Sequence, residues 1–123
     1  MAVFVQSVAQ KANDKGPASG DRDAPFGWAP IQIIATQGLR RYGFSEAADR
    51  IAFKFLSMIA RDFAARGIIV EKYDVVASRS ELSGKVKYGY QSNEIGFGWT
   101  NAAFIVLQEE LSAQARSKIN GYR

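Results

Sequence analysis

Apolar residues recur every four positions at Ile51, Phe55, Ile59 and Phe63, flanked by Ala48, Ala52 and Leu56. That period marks one face of a helix. Ser45 is placed to cap it, Glu46 suits its first turn, and Gly67 supplies a stop. Just upstream, Ile31, Ile34, Ala35 and Leu39 form a second stripe that begins after Pro30 and ends at Gly43. The very short connection predicts an antiparallel helical hairpin. A further helix is predicted from near Thr100 to about Lys118, with Ala103, Phe104, Leu107 and Leu111 on one side. Residues 104–107 are apolar all round, which predicts burial of its N-terminal half. Val3, Val5 and Val8 suggest a short helix over residues 3–12.

The segments between these stripes are of a different kind. Residues 13–23 (NDKGPASGDRD) are rich in Gly, Pro, Ser and Asp and read as a loop. Residues 68–76 (IIVEKYDVV) are too few for a helix with its own core stripe and read as extended or irregular. Residues 77–98 form a long polar, glycine-bearing loop with room for a β-turn ribbon, and such loops in compact domains are often functional. The pattern therefore predicts an all-α class. Its helices are apolar over more of their circumference than three helices can cover, so the pattern also predicts packing against further protein, including self-association through exposed helix faces.

Composition narrows the chemistry. The chain has 123 residues, 47% of them hydrophobic, the size and content of one ordinary domain. It has no cysteine and no histidine, which excludes disulfides, thiolate or histidine metal sites, and a histidine base. Acid–base work falls to carboxylates, Lys or Tyr. The net charge of +4 is scattered, with Arg40 and Arg41 the only adjacent pair, so neither a nucleic-acid partner nor a membrane surface is expected. No apolar run approaches the roughly 20 residues of a membrane span. The opening MAVFVQSVAQKAND lacks a basic region and a long enough apolar core for a secretory signal.

Three clusters lie outside the helical stripes: residues 21–30, 71–75 and 93–101. Aromatic rings beside glycine and polar groups suit carbohydrate, whose C–H faces lie on rings while its hydroxyls need hydrogen-bond partners. Trp28, Phe97 and Trp99 supply faces, and Asp23, Asn93 and Asn101 supply polar groups. The plainer alternative stays open for each: Trp28 staples the loop to the helix after Pro30, and Phe97 and Trp99 fill core space. Glu71 follows Ile68, Ile69 and Val70. Either it is a solvated strand-end carboxylate paired with Lys72, or the apolar run buries it, and burial is what lets a carboxylate serve as a general base. Asp74 fits a turn or a backbone acceptor.

Together the clusters resemble α,α-trehalases of the glycoside hydrolase 37 type, in their C-terminal part. The family signature Gln-Trp-Asp-x-Pro-x-Gly-Trp-Ala-Pro reads here Asp21-Arg22-Asp23-Ala24-Pro25-Phe26-Gly27-Trp28-Ala29-Pro30, departing at its first two positions. A helix with Gln32, Ala35, Gly38, Leu39, Tyr42 and Gly43 follows, then VEKYDV at residues 70–75 and GFGWTN at residues 96–101, both matched in full. Order and spacing agree over roughly residues 20–108. The resemblance implies that residues 1–123 are one C-terminal segment of an (α/α)6 toroid, incomplete in this chain, with residues 1–20 a poorly matched lead.

It also implies inverting hydrolysis of trehalose to glucose, with Glu71 as general base and no metal or cofactor. Asp23, Trp28, Phe97 and Trp99 would contact the disaccharide. The family's general acid is an aspartate well upstream, and Asp14 does not sit in its motif, so the chain is expected to supply the base without the acid and to be inactive alone. Arg22, and Tyr90 near a family Glu position, depart from the pattern. They motivate an alternative, a glycosidase of other specificity on the same toroid. A third reading is a noncatalytic segment that binds sugar or a partner.

Overall fold

The computed structural model describes residues 26–80 and 93–122. The elements run β1 (Phe26–Trp28), α1 (Ala29–Arg41), α2 (Ser45–Arg66), β2 (Lys72–Asp74), α3 (Gly98–Glu110) and α4 (Ala113–Asn120). The expected helix over residues 3–12 and the loop at 13–23 lie outside the described residues, as do residues 81–92 of the long loop.

The helical hairpin forms as expected. Pro30 sits in the first turn of α1, where its missing N–H leaves no bond unmade. Gly43 (φ +82°) turns the chain, and Gly67 (φ +69°) ends α2 with its N–H on the Phe63 carbonyl at 2.7 Å. Ser45, however, is not the cap. Phe44 precedes the helix, its N–H bonded to the Leu39 carbonyl at 2.8 Å and its carbonyl accepting from Ala48 at 3.1 Å. The turn closes through backbone bonds, which leaves the Ser45 hydroxyl no capping role.

The α2 stripe is buried at Ala48, Ile51, Ala52, Phe55, Leu56 and Ile59, while Phe63 is half exposed. At 22 residues, α2 is about 33 Å long against about 20 Å for the 13-residue α1 and α3, so its last turns run past them. The phase expected for α1 is wrong. Ile31 and Ile34 face outward, and Ala29, Ile33 and Thr36 face the core. Buried Thr36 donates its hydroxyl to the carbonyls of Gln32 (2.9 Å) and Ile33 (3.0 Å), so its polar atom is satisfied within the helix. Isoleucines lie on two faces of α1, and the position of α2 and α3 decides which face is inner.

The last expected helix is two. It breaks at Leu111, whose ψ of 153° is extended, and restarts behind Ser112, whose Oγ accepts from the Ala115 N–H at 3.2 Å. Leu111 and Ile119 are thereby both buried against α2 and α3. The N-terminal half of α3 is buried on one side only, at Thr100, Ala103 and Leu107, with Ile105 mostly exposed. Arg40 ties the three long elements together: it reaches Asp49 at 2.6 Å, Glu110 Oε2 at 3.3 Å and the Glu110 carbonyl at 3.3 Å.

The helices frame a two-stranded antiparallel ladder that the hydrophobic pattern does not predict at β1. Its register pairs Phe26 with Asp74, Gly27 with Tyr73, and Trp28 with Lys72. A Cβ on Gly27 would overlap a methyl of Val75, so glycine is needed for the close approach. The described part is thus mostly helical, as expected, with the ladder added at one side of the core.

Candidate active site

Residues 71–74 are consecutive, polar and almost fully buried: Glu71 1%, Lys72 2%, Tyr73 0% and Asp74 2% exposed. Charged side chains rarely bury so completely unless they are held. Here the backbone is held first. The Glu71 N–H donates to the Glu94 carbonyl (2.8 Å), and the Thr100 hydroxyl donates to the Glu71 carbonyl (3.0 Å). The Asn93 side chain accepts from the Lys72 N–H (2.9 Å) and donates to the Lys72 carbonyl (2.9 Å) and the Ser80 carbonyl (3.0 Å). Next along, Val70 bridges Ile95, and the Gly96 N–H reaches the Ile69 carbonyl at 2.7 Å. Every backbone polar group of the Glu71–Lys72 pair therefore has a partner in residues 93–100.

Tyr73 pins the ladder to the core. Its ring meets Phe55 edge-on at 6.3 Å, and its hydroxyl accepts from the Val70 N–H at 3.3 Å. Burial is the main reason its phenol is pushed above the ordinary value. Asp74 behaves as a turn acceptor, as expected, taking the N–H groups of Val76 (3.0 Å) and Ala77 (2.7 Å) on Oδ1. Beyond it, Ser80 joins Asp62 and Arg66 of α2 in a hydrogen-bonded cluster.

The side chains then converge. Lys72 Nζ lies 3.7 Å from Glu71 Oε2 and 5.4 Å from the centroid of the Trp28 ring. Trp28 meets Trp99 edge-on at 5.4 Å, and Trp99 meets Phe97 at 4.6 Å. A buried carboxylate, an ammonium and three aromatic rings thus form one continuous group, with Trp99 partly open to solvent. Such a group can hold a sugar ring against the aromatics and bring a proton acceptor to it. Among the described residues no cluster of His, Cys, Asp or Glu could hold a metal ion, and no helix is long and apolar enough to cross a membrane.

The sequence profile of the family described as Trehalase matches residues 3–112. This chain belongs to the trehalase family. A probable trehalase of Saccharomyces cerevisiae is 37% identical over 121 residues, covering 89% of this chain and 16% of its own length. A cytosolic neutral trehalase of Neurospora crassa is 42% identical over 101 residues, covering 76% and 14%. The structure of a neutral trehalase from Saccharomyces cerevisiae superposes with a TM-score of 0.62 at 37% identity, over 82% of this chain and 16% of that one. The chain thus spans about one sixth of the length of these relatives.

Within this trehalase-family chain, the structure brings Glu71, Trp28, Phe97 and Trp99 into one group through Lys72. Glu71 is buried rather than a solvated strand end, and Trp28, Phe97 and Trp99 share one aromatic group. Asp23 lies outside the described residues, as do Arg22 and Tyr90. Asn93 and Asn101 spend their amides on the chain itself, Asn93 on Lys72 and Ser80, Asn101 on the Phe97 carbonyl at 3.2 Å. Three residues that hold the ladder were not singled out for that work: Lys72, Asn93 as a backbone clamp, and Thr100. The only sequence signal was proximity to the matched blocks, because a clamp between residues 21 positions apart leaves no local pattern.

Proposed function

We propose that this chain forms part of an inverting trehalose hydrolase, built on an (α/α)6 toroid, and contributes its general base, Glu71. The observation that carries the reading is the buried carboxylate of Glu71, held at both backbone ends inside a trehalase-family chain and linked through the Lys72 ammonium to the Trp28, Trp99 and Phe97 rings. In this reading the rings lie against the apolar faces of the glucose units, and Asp23 hydrogen-bonds hydroxyls. Glu71 takes a proton from the water that attacks the anomeric carbon. The leaving oxygen takes a proton from a carboxylic acid on another part of a full-length trehalase, about 6.5–9.5 Å from Glu71, the separation that leaves room for the water. Cleavage with inversion yields two glucose molecules, and the chain alone lacks the acid.

The test is glucose release from trehalose by full-length trehalase carrying this chain, beside its Glu71→Gln variant and the 123-residue chain alone. Glu71→Gln should lower kcat by about 10²–10⁴-fold, the usual range for a lost general base, with trehalose binding little changed. The chain alone should release no glucose. Parental turnover in Glu71→Gln would remove the role given to Glu71.

A further inference from the structure

We propose that Lys72 is a positioning residue for this hydrolysis: its ammonium fixes the carboxylate of Glu71 and ties it to the Trp28 ring. The inference rests on the reading of Glu71 as general base.

Fold stability alone does not account for a lysine at this place. Its side chain is 2% exposed, and desolvating an ammonium costs free energy that an apolar residue of similar volume would not. The neighbours say what the charge does there. Nζ stands 3.7 Å from Glu71 Oε2 on one side and 5.4 Å from the Trp28 centroid on the other. Successive residues of a strand point to opposite faces, so adjacent side chains ordinarily diverge. Glu71 escapes that rule because it occupies the bend just before β2, with its N–H on the Glu94 carbonyl. The bend lets two neighbouring side chains meet.

The Lys72 end of the pair is fixed as well. Its backbone is gripped at both polar groups by Asn93, and its register partner across the ladder is Trp28. A carboxylate that must take a proton from water needs a set plane, because proton transfer demands hydrogen-bond reach and a misplacement near 1 Å costs about 10²-fold. At 3.7 Å the ammonium acts on Oε2 as a charge rather than as a hydrogen-bond donor, and that attraction biases the plane. The Trp28 face covers the ammonium through cation–π attraction. A sugar resting on the aromatic group and the base that serves it are then parts of one rigid unit.

The test uses full-length trehalase carrying this chain, with trehalose kinetics referred to the folded fraction of each variant. Lys72→Met should lower kcat about 100-fold and leave KM within about twofold, and Lys72→Arg, which keeps the charge but not its position, should recover only in part, to a kcat about tenfold below the parent. A merely structural lysine would lower the folded fraction and leave kcat per folded molecule unchanged. That result, or a change confined to KM, would overturn the proposal. If Lys72→Met fails to fold, Lys72→Arg decides alone: parental kcat overturns the role, and a roughly tenfold loss at constant KM supports it. Glu71→Gln runs in parallel. If it abolishes turnover while Lys72→Met is normal, only the Lys72 role fails. If Glu71→Gln turns over normally, the base reading fails and this inference with it.

Discussion

The ladder and the outer faces of α1 and α3 invert the usual placement of residues. In the ladder Lys72 and Asp74 are buried, as is Glu71 just before it. On the helices Ile34 is 67% exposed and Ile105 56%. Folding physics alone would put isoleucine inside and charge outside. The two departures have different causes. Buried charge at Glu71 and Lys72 is tolerated because residues 93–100 satisfy the backbone of both and the two side chains lie beside one another. The exposed isoleucines have no such compensation within the described residues. The apolar exposure lies on the outer helix faces, whereas the buried charge lies beside the group proposed above as the site.

The comparison can be broken most severely in the core that supports both regions. Leu56 is fully buried in the core cluster that also holds Tyr73 of the ladder. Leu56→Ala should cost about 2–5 kcal/mol in urea unfolding of the 123-residue chain. A loss below about 1 kcal/mol would mean that the two regions do not share one core. Next comes the clamp. Asn93→Ala strands the N–H and carbonyl of Lys72, and should cost about 1–3 kcal/mol. The same variant should expose Trp28, seen as a red shift of tryptophan emission, because the strand opposite it loosens. Unchanged emission and stability would show that the ladder holds itself.

A smaller effect comes from Tyr73, whose phenol is raised chiefly by burial. Below about pH 10 both folded and unfolded chains keep this proton, and its contribution is fully present. Above that the unfolded chain ionises first, so stability falls as pH rises, until Tyr73 ionises in the fold as well. Urea midpoints taken from about pH 9 upward should therefore decline less steeply in Tyr73→Phe. Equal slopes would mean that the phenol is not shielded. The smallest effect is expected at the outer face. Ile34→Ser should change unfolding of the dilute chain by less than about 0.5 kcal/mol while reducing any concentration-dependent association. A loss like that of Leu56→Ala would show that Ile34 is inside after all.

Much of this was legible in sequence. The periodicity at Ile51, Phe55 and Ile59, the glycine stops at Gly43 and Gly67, and the extended character of residues 68–76 are local properties, and local propensity decided them. The matched blocks pointed to Glu71, Trp28, Phe97 and Trp99 because their chemistry is written in residue type and spacing. The break at Ser112 had a signal too, a serine able to accept from the N–H three residues on, but the apolar run continuing to Leu111 concealed it.

The remainder was decided in three dimensions. Which isoleucines of α1 face inward depends on where α2 and α3 lie, since the helix carries apolar residues on two faces. β1 is three residues long and exists only because β2 lies beside it. The meeting of Lys72 with Glu71 needs a bend held by Glu94, and the clamp of Asn93 on Lys72 spans 21 positions. Sequence by itself settled the helical hairpin and the extended segment after it, because their causes act within a few residues. Only the tertiary structure settled burial, phase and the surroundings of Glu71, because those depend on partners that the chain brings back from far along its length.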